Sequence, residues 1–375
     1  MRRPLSLVSL VFGSIVVASL ALAPHGHAWN GEEGLYRVIS LVANEKDLGH
    51  KIPRADQIDL HLANGWGLAY LPTSPFWVAD ELTGFATIYT GDGKIQPLVV
   101  TIPLASSDPL PPGCPTGIAA NPFGGFMVSK GGKSASALFI FATLDGTISG
   151  WNPTVDPTNA VIAVDNPGKP MAYTGLDIAN TKSGTFLFAA NAALNQIEKY
   201  DSNFNLMKSF SDPNIPPPLG VYGVHALQGK IYVTYAPILP GKPGAGAVDV
   251  FDTDGNLLNT LISIEPNGVL NIPWGVAIAP ADFGKFSNAL LVGNLQDGRI
   301  NAFDLNTGSS LGPLADEETG KPIEIPGLWS IEFGGGNPNN GNTNELFFVA
   351  GPDTYFGGVF GKIVVEKDSD NDQDE

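Results

Sequence analysis

The chain has 375 residues, 43% of them hydrophobic and 15% charged, with 37 acidic against 20 basic side chains and a formal net charge of −17. That apolar share supports a large core. The negative balance excludes the cationic surface that nucleic acid or an anionic bilayer demands.

The N-terminus reads as an address. Arg2 and Arg3 precede an uncharged apolar run from Leu5 to Ala23, and Gly26 and Ala28 stand as the small residues of a cleavage site before Trp29. We expect a signal peptide over 1–28, with an uncleaved anchor helix as the competing reading. Beyond it no apolar run reaches spanning length, so the mature protein is expected to be soluble, monomeric and exported to the periplasm or the extracellular space. Cys114 is the sole cysteine and cannot form an intramolecular disulfide; it reads as a small loop or core residue.

From residue 64 onward one formula repeats. Asn64-Gly65-Trp66-Gly67-Leu68-Ala69 opens the first copy. Later copies open around Gly117, Gly175, Gly223 and Gly275, and a sixth keeps Trp329 but replaces the glycine by Ser330. The period is about fifty residues, the size of a four-stranded propeller blade. Each opening leads into a short apolar strand such as Phe76-Trp77-Val78-Ala79-Asp80, of the kind covered on both faces. An alternating strand follows, as in Asn195 to Asp201, closed by a turn such as Asp252-Thr253-Asp254-Gly255-Asn256. That turn resembles the start of a calcium loop, but no glutamate completes it, so a hairpin turn explains it.

The expected fold is therefore an all-β, six-bladed β-propeller of four-stranded blades over residues 35–365. The sixth copy stops after its third strand, Val359 to Val365. The segment Leu35 to Val42 has no other place in the repeat, so it is expected to complete the last blade and close the ring. Residues 366–375 read as a disordered acidic tail.

The repeat also predicts which side chains cluster. Loops entering the innermost strands and loops leaving the second strands share one face, which gathers Asn64, Trp66, Asp80, Asn191, Trp274, Asn294 and Trp329, with Tyr173 and His225 further along. Asp80, Asn191 and Asn294 share a register, and oxygen ligands from separate blades suit a hard cation such as Ca²⁺. Asp and Asn at strand ends also cap their own turns, and an aromatic before a glycine also packs between blades, so structural readings stand beside the functional ones.

The runs Leu144-Asp-Gly-Thr-Ile-Ser-Gly-Trp-Asn-Pro153, Leu290-Leu-Val-Gly-Asn294 and Leu346-Phe-Phe-Val-Ala-Gly-Pro352 make the chain resemble a bacterial family of exported propellers, some with a C-terminal sorting anchor. This chain ends in an acidic stretch instead. The blade formula is more distantly similar to NHL-type and calcium-dependent lactonase propellers. The latter resemblance implies a metal at the channel mouth, with Asp80, Asn191 and Asn294 matching by register only. The leading expectation is a non-catalytic exported propeller binding a protein, glycan or small molecule at that mouth. The alternative is a calcium-dependent, lactonase-like hydrolase with Asp80, Asn191 and Asn294 as ligands and His225 or a nearby acid as base.

Overall fold

The computed structural model describes residues 35–46, 52–106, 113–167, 169–237, 245–265 and 268–366. The leader expected over 1–28 and the tail beyond Glu366 lie outside these residues.

Six sheets stand around one axis, and the expected architecture is what the chain adopts. The innermost strands are Gly65–Ala69, Pro115–Ala120, Tyr173–Thr181, Leu219–Leu227, Pro273–Ile278 and Leu328–Phe333. The second strands, Phe76–Asp80 through Leu346–Ala350, are buried along most of their length, as their unbroken apolar character requires. Tyr36–Ala43 pairs antiparallel with Val359–Val365 and closes the ring. A short strand, Gln57–Ile58, adds to the same sheet parallel to Tyr36–Ala43, so the sixth blade has five strands. In blade 2 an extra hairpin, Met127–Lys130 with Lys133–Ser136, turns at Gly131-Gly132, both with positive φ as a two-residue hairpin turn demands.

The glycine that heads each repeat is explained by blade packing. A Cβ on Gly117 would lie 2.3 Å from the Leu176 amide nitrogen of the next innermost strand, and one on Gly67 would lie 2.5 Å from the Thr116 carbonyl oxygen. Innermost strands crowd at the axis, and only a residue without a side chain lets their backbones approach so closely. Neighbouring threonines stitch the same seam: Thr116 Oγ1 donates to the Tyr173 carbonyl at 2.7 Å and Thr174 Oγ1 to that of Tyr222 at 2.6 Å.

Strand register also builds a buried polar layer. Asp80, Thr143, Asn191, Tyr235 and Asn294 occupy equivalent positions, each opposite the residue two before the blade glycine. On the adjoining third strands Thr87, Ser149, Glu198, Asp249 and Asn301 are likewise equivalent. In blade 3 this layer is saturated. Glu198 accepts from Tyr173 Oη at 2.7 Å, Tyr200 Oη at 2.6 Å, Asn191 Nδ2 at 2.9 Å and Gln196 Nε2 at 3.0 Å.

Candidate functional site

The two ends of the axial channel differ. At the N-terminal ends of the innermost strands an aromatic seal closes it. Trp66 stacks on Trp329 with ring centroids 3.8 Å apart, and Trp274, Tyr222 and Tyr355 surround Trp329 at 6.0 to 6.1 Å. All three tryptophans are buried. Asn64, at φ +48°, accepts the Trp329 indole N–H at 2.8 Å and donates from Nδ2 to Glu81 at 3.0 Å. Trp274 Nε1 donates to the Thr174 carbonyl at 2.7 Å, and Cys114 packs against the edge of the cluster.

Of the residues singled out in the sequence, Asn64, Trp66, Trp274 and Trp329 are thus brought together, as this seal. Tyr173, Asn191 and Asn294 are instead engaged within their own blades. Tyr173 bonds Glu198, as does Asn191, while Asn294 accepts from the Asn271 amide at 3.0 Å and donates to the Val269 carbonyl at 2.8 Å. Asp80 is fully buried, and that burial pushes its carboxyl well above the usual range. Asp252 caps its own turn through the amides of Asp254 and Asn256, as the hairpin reading expects. Among the described residues no three His, Cys, Asp or Glu side chains group closely enough to hold a metal ion together.

Past the seal, toward the C-terminal ends of the innermost strands, lies a pocket of about 500 Å³. Its walls are mostly aliphatic, Trp274 contributes from the sealed side, and Tyr70, Phe123 and Gln228 stand on the turns at the open rim. Two carboxyls and an imidazole from three blades line it: Asp177, Glu332 and His225. Among the described lining residues there is no lysine or arginine.

Each group is set by its surroundings. Asp177 accepts from the Ala226 amide of the next blade and from the Ile178 amide, both at 2.7 Å, yet burial still holds its carboxyl up at about 6. Glu332 belongs to blade 6, opposite blade 3 in the ring. Burial, with the Asp177 charge adding to it, pushes its carboxyl up to about 8. His225 Nε2 lies 2.8 Å from the Trp274 carbonyl oxygen. A carbonyl only accepts, so Nε2 carries the proton and Nδ1 is left as an acceptor. Burial lowers this imidazole to about 4 and keeps it neutral. The pocket therefore presents acceptors, and its facing carboxyls favour a positive or donor-rich guest.

Sequence reasoning found His225 but not Asp177 or Glu332. Each sits two residues after the glycine or serine that heads its repeat, Gly175 and Ser330, the register His225 holds after Gly223, and a charged residue in an otherwise apolar strand is the signal available.

No family model matches the sequence. The chain is 32% identical over 348 residues to "Uncharacterized protein L690" of Acanthamoeba polyphaga mimivirus, covering 88% of this chain and 86% of that protein. It is 32% identical over 333 residues to "Uncharacterized protein R648" of the same virus, covering 84% and 78%. Among solved structures it is similar to a catalytically inactive virginiamycin B lyase from Staphylococcus aureus with quinupristin, at TM-score 0.50 and 13% identity, over 88% of this chain and 100% of that one. It is also similar to the soluble aldose sugar dehydrogenase from Escherichia coli in the apo form, at TM-score 0.51 and 13% identity, again over 88% and 100%. At such identity the two structures speak for the propeller fold alone.

Proposed function

We propose, given that the chain belongs to the same family as the mimivirus proteins L690 and R648, that it is an exported binding propeller whose axial pocket takes a small ligand with an apolar body and a cationic amine head. Both relatives match over most of their length, so the function is sought within the propeller itself. The observation that carries the reading is one pocket with aliphatic walls, two carboxyls from opposite blades, a neutral imidazole and no lysine or arginine among the described lining residues. Apolar walls supply affinity through burial, while the few polar groups fix orientation and sign of charge. Export rests on the leader read in residues 1–28.

The test compares three six-carbon probes by calorimetry at pH 7: hexylammonium, hexanol and hexanoate. Hexylammonium is expected to bind and hexanoate not. Glu332→Gln is expected to weaken the amine about tenfold or more, since a charge-assisted hydrogen bond is lost. Equal binding of hexanoate, or an amine affinity unchanged in the Asp177→Asn/Glu332→Gln double variant, would overturn the reading.

A further inference from the structure

Asp80 ends the second strand of blade 1 and is completely buried, as is the Thr87 hydroxyl two registers along the adjoining strand. Among the described residues neither carboxylate oxygen of Asp80 has a partner in hydrogen-bond geometry, and the Thr87 Oγ1 has none either. Thr87 is near enough to ease ionisation of Asp80 without reaching that geometry. A second acid lies nearby. Asp59 is 8% exposed, and its charge is close enough to act on Asp80. Asp59 Oδ2 accepts from Tyr89 Oη at 3.0 Å, and Oδ1 accepts from the His61 amide and meets His61 Nδ1, each at 3.0 Å.

The contrast with blade 3 is informative. There the buried acid of the same layer, Glu198, is met by four donors in good geometry, whereas Asp80 has only Thr87 beside it, outside that geometry. A buried carboxylate with so little donor support is costly, and a second carboxylate nearby raises the cost. Either a proton or a cation must relieve it.

We propose that Asp80 and Asp59, with the hydroxyls of Thr87 and Tyr89, bind a hard divalent cation, and that the ion is Ca²⁺. All the donors are oxygen. Ca²⁺ tolerates an irregular oxygen set, whereas Mg²⁺ demands near-ideal octahedral geometry and keeps several waters, which suits a packed interior poorly. Two carboxylates also match its charge.

The position gives the ion a task. Asp59 directly follows Gln57–Ile58, which pairs into blade 6, and its amide donates to the Ala43 carbonyl at 2.8 Å. Asp80, Thr87 and Tyr89 belong to blade 1. A cation between them fastens the first blade to the blade that closes the ring. This site is separate from the axial pocket and does not depend on what that pocket binds.

The test uses the full chain. Melting is followed in EDTA and with added Ca²⁺, and Tb³⁺ emission is read on exciting the aromatic side chains. The wild-type protein is expected to melt about 5 °C higher with saturating Ca²⁺ than in EDTA. It should also sensitise Tb³⁺, with Ca²⁺ displacing the lanthanide. Asp80→Asn should lose both responses, and Glu332→Gln, in the axial pocket, should keep both. Should Asp80→Asn fail to fold, Asp59→Asn gives the same reading. Two results would overturn the proposal: a wild-type melting temperature indifferent to EDTA and Ca²⁺, or an Asp80→Asn protein at least as stable as wild type in Ca²⁺. The second would mean that Asp80 is a neutral carboxyl.

Discussion

Glu332 is the residue on which the pocket's chemistry turns. With its carboxyl held at about 8, it is mostly protonated at pH 7, and a cation bound beside it favours the ionised form. Amine binding at pH 7 should therefore expel a proton, and affinity should rise between pH 6 and 8 as Glu332 is deprotonated in advance. Calorimetry in two buffers of different ionisation enthalpy measures that proton, which should vanish in Glu332→Gln. Residue-scale features were unevenly legible. The tryptophans are visible because they recur with the repeat, as a seal built from equivalent blade positions produces, and Asn64 because it opens the first copy beside one of them. Asp177, His225 and Glu332 share one register, two residues after the residue that heads each repeat, but alanine fills it in the other three blades (Ala69, Ala119, Ala277), so the register reads as plain strand interior. His225 is legible because the repeat places it along an innermost strand.

Among elements, the innermost strands carry the tightest constraint. Gly117→Ala would force a Cβ against the Leu176 backbone, which cannot swing aside as a side chain end can. We expect a loss of about 1–3 kcal/mol, read by denaturant titration, because overpacking strains the surrounding backbone. Strand types and their order were written plainly in the repeat, down to the shared register of Asp80, Asn191 and Asn294. What that register does was not. Whether a polar residue at a strand end caps its blade or reaches the axis depends on side chains contributed by neighbouring strands. Asn191 is held by Glu198, seven residues away on the next strand. Two small elements also escaped the reading: the hairpin across Gly131-Gly132, whose turn signal was present but lay inside a blade already assigned, and Gln57–Ile58, too short to show alternation.

For the molecule as a whole, pH separates the pocket's contributions. His225 has a lowered pKa of about 4, so the folded state binds fewer protons than the unfolded one and stability rises with pH from about 4 to about 6.5. Asp177 and Glu332 have raised values, so the folded state binds more protons. Their contributions are present at low pH and are lost as pH climbs through about 6 and about 8 respectively. Between pH 6.5 and 8 Glu332 is the member of this trio that still titrates. The melting temperature should therefore decline over that window, and less steeply in Glu332→Gln; parallel slopes would remove Glu332 as the cause. Ring closure is the other molecular property. Deleting residues 36–43 leaves Val359–Val365 as an open edge, and size-exclusion chromatography should then show aggregates in place of a single species.

That seam has a mechanical side. Tyr36 sits opposite Val365, and Arg37 reaches Glu366, so the first and last described strands begin and end at the same tip of one antiparallel pair. Tension applied between them would load the rungs one after another, like a zip drawn from its tab, rather than shearing them all at once. The ring should resist heat far better than it resists being pulled by its ends.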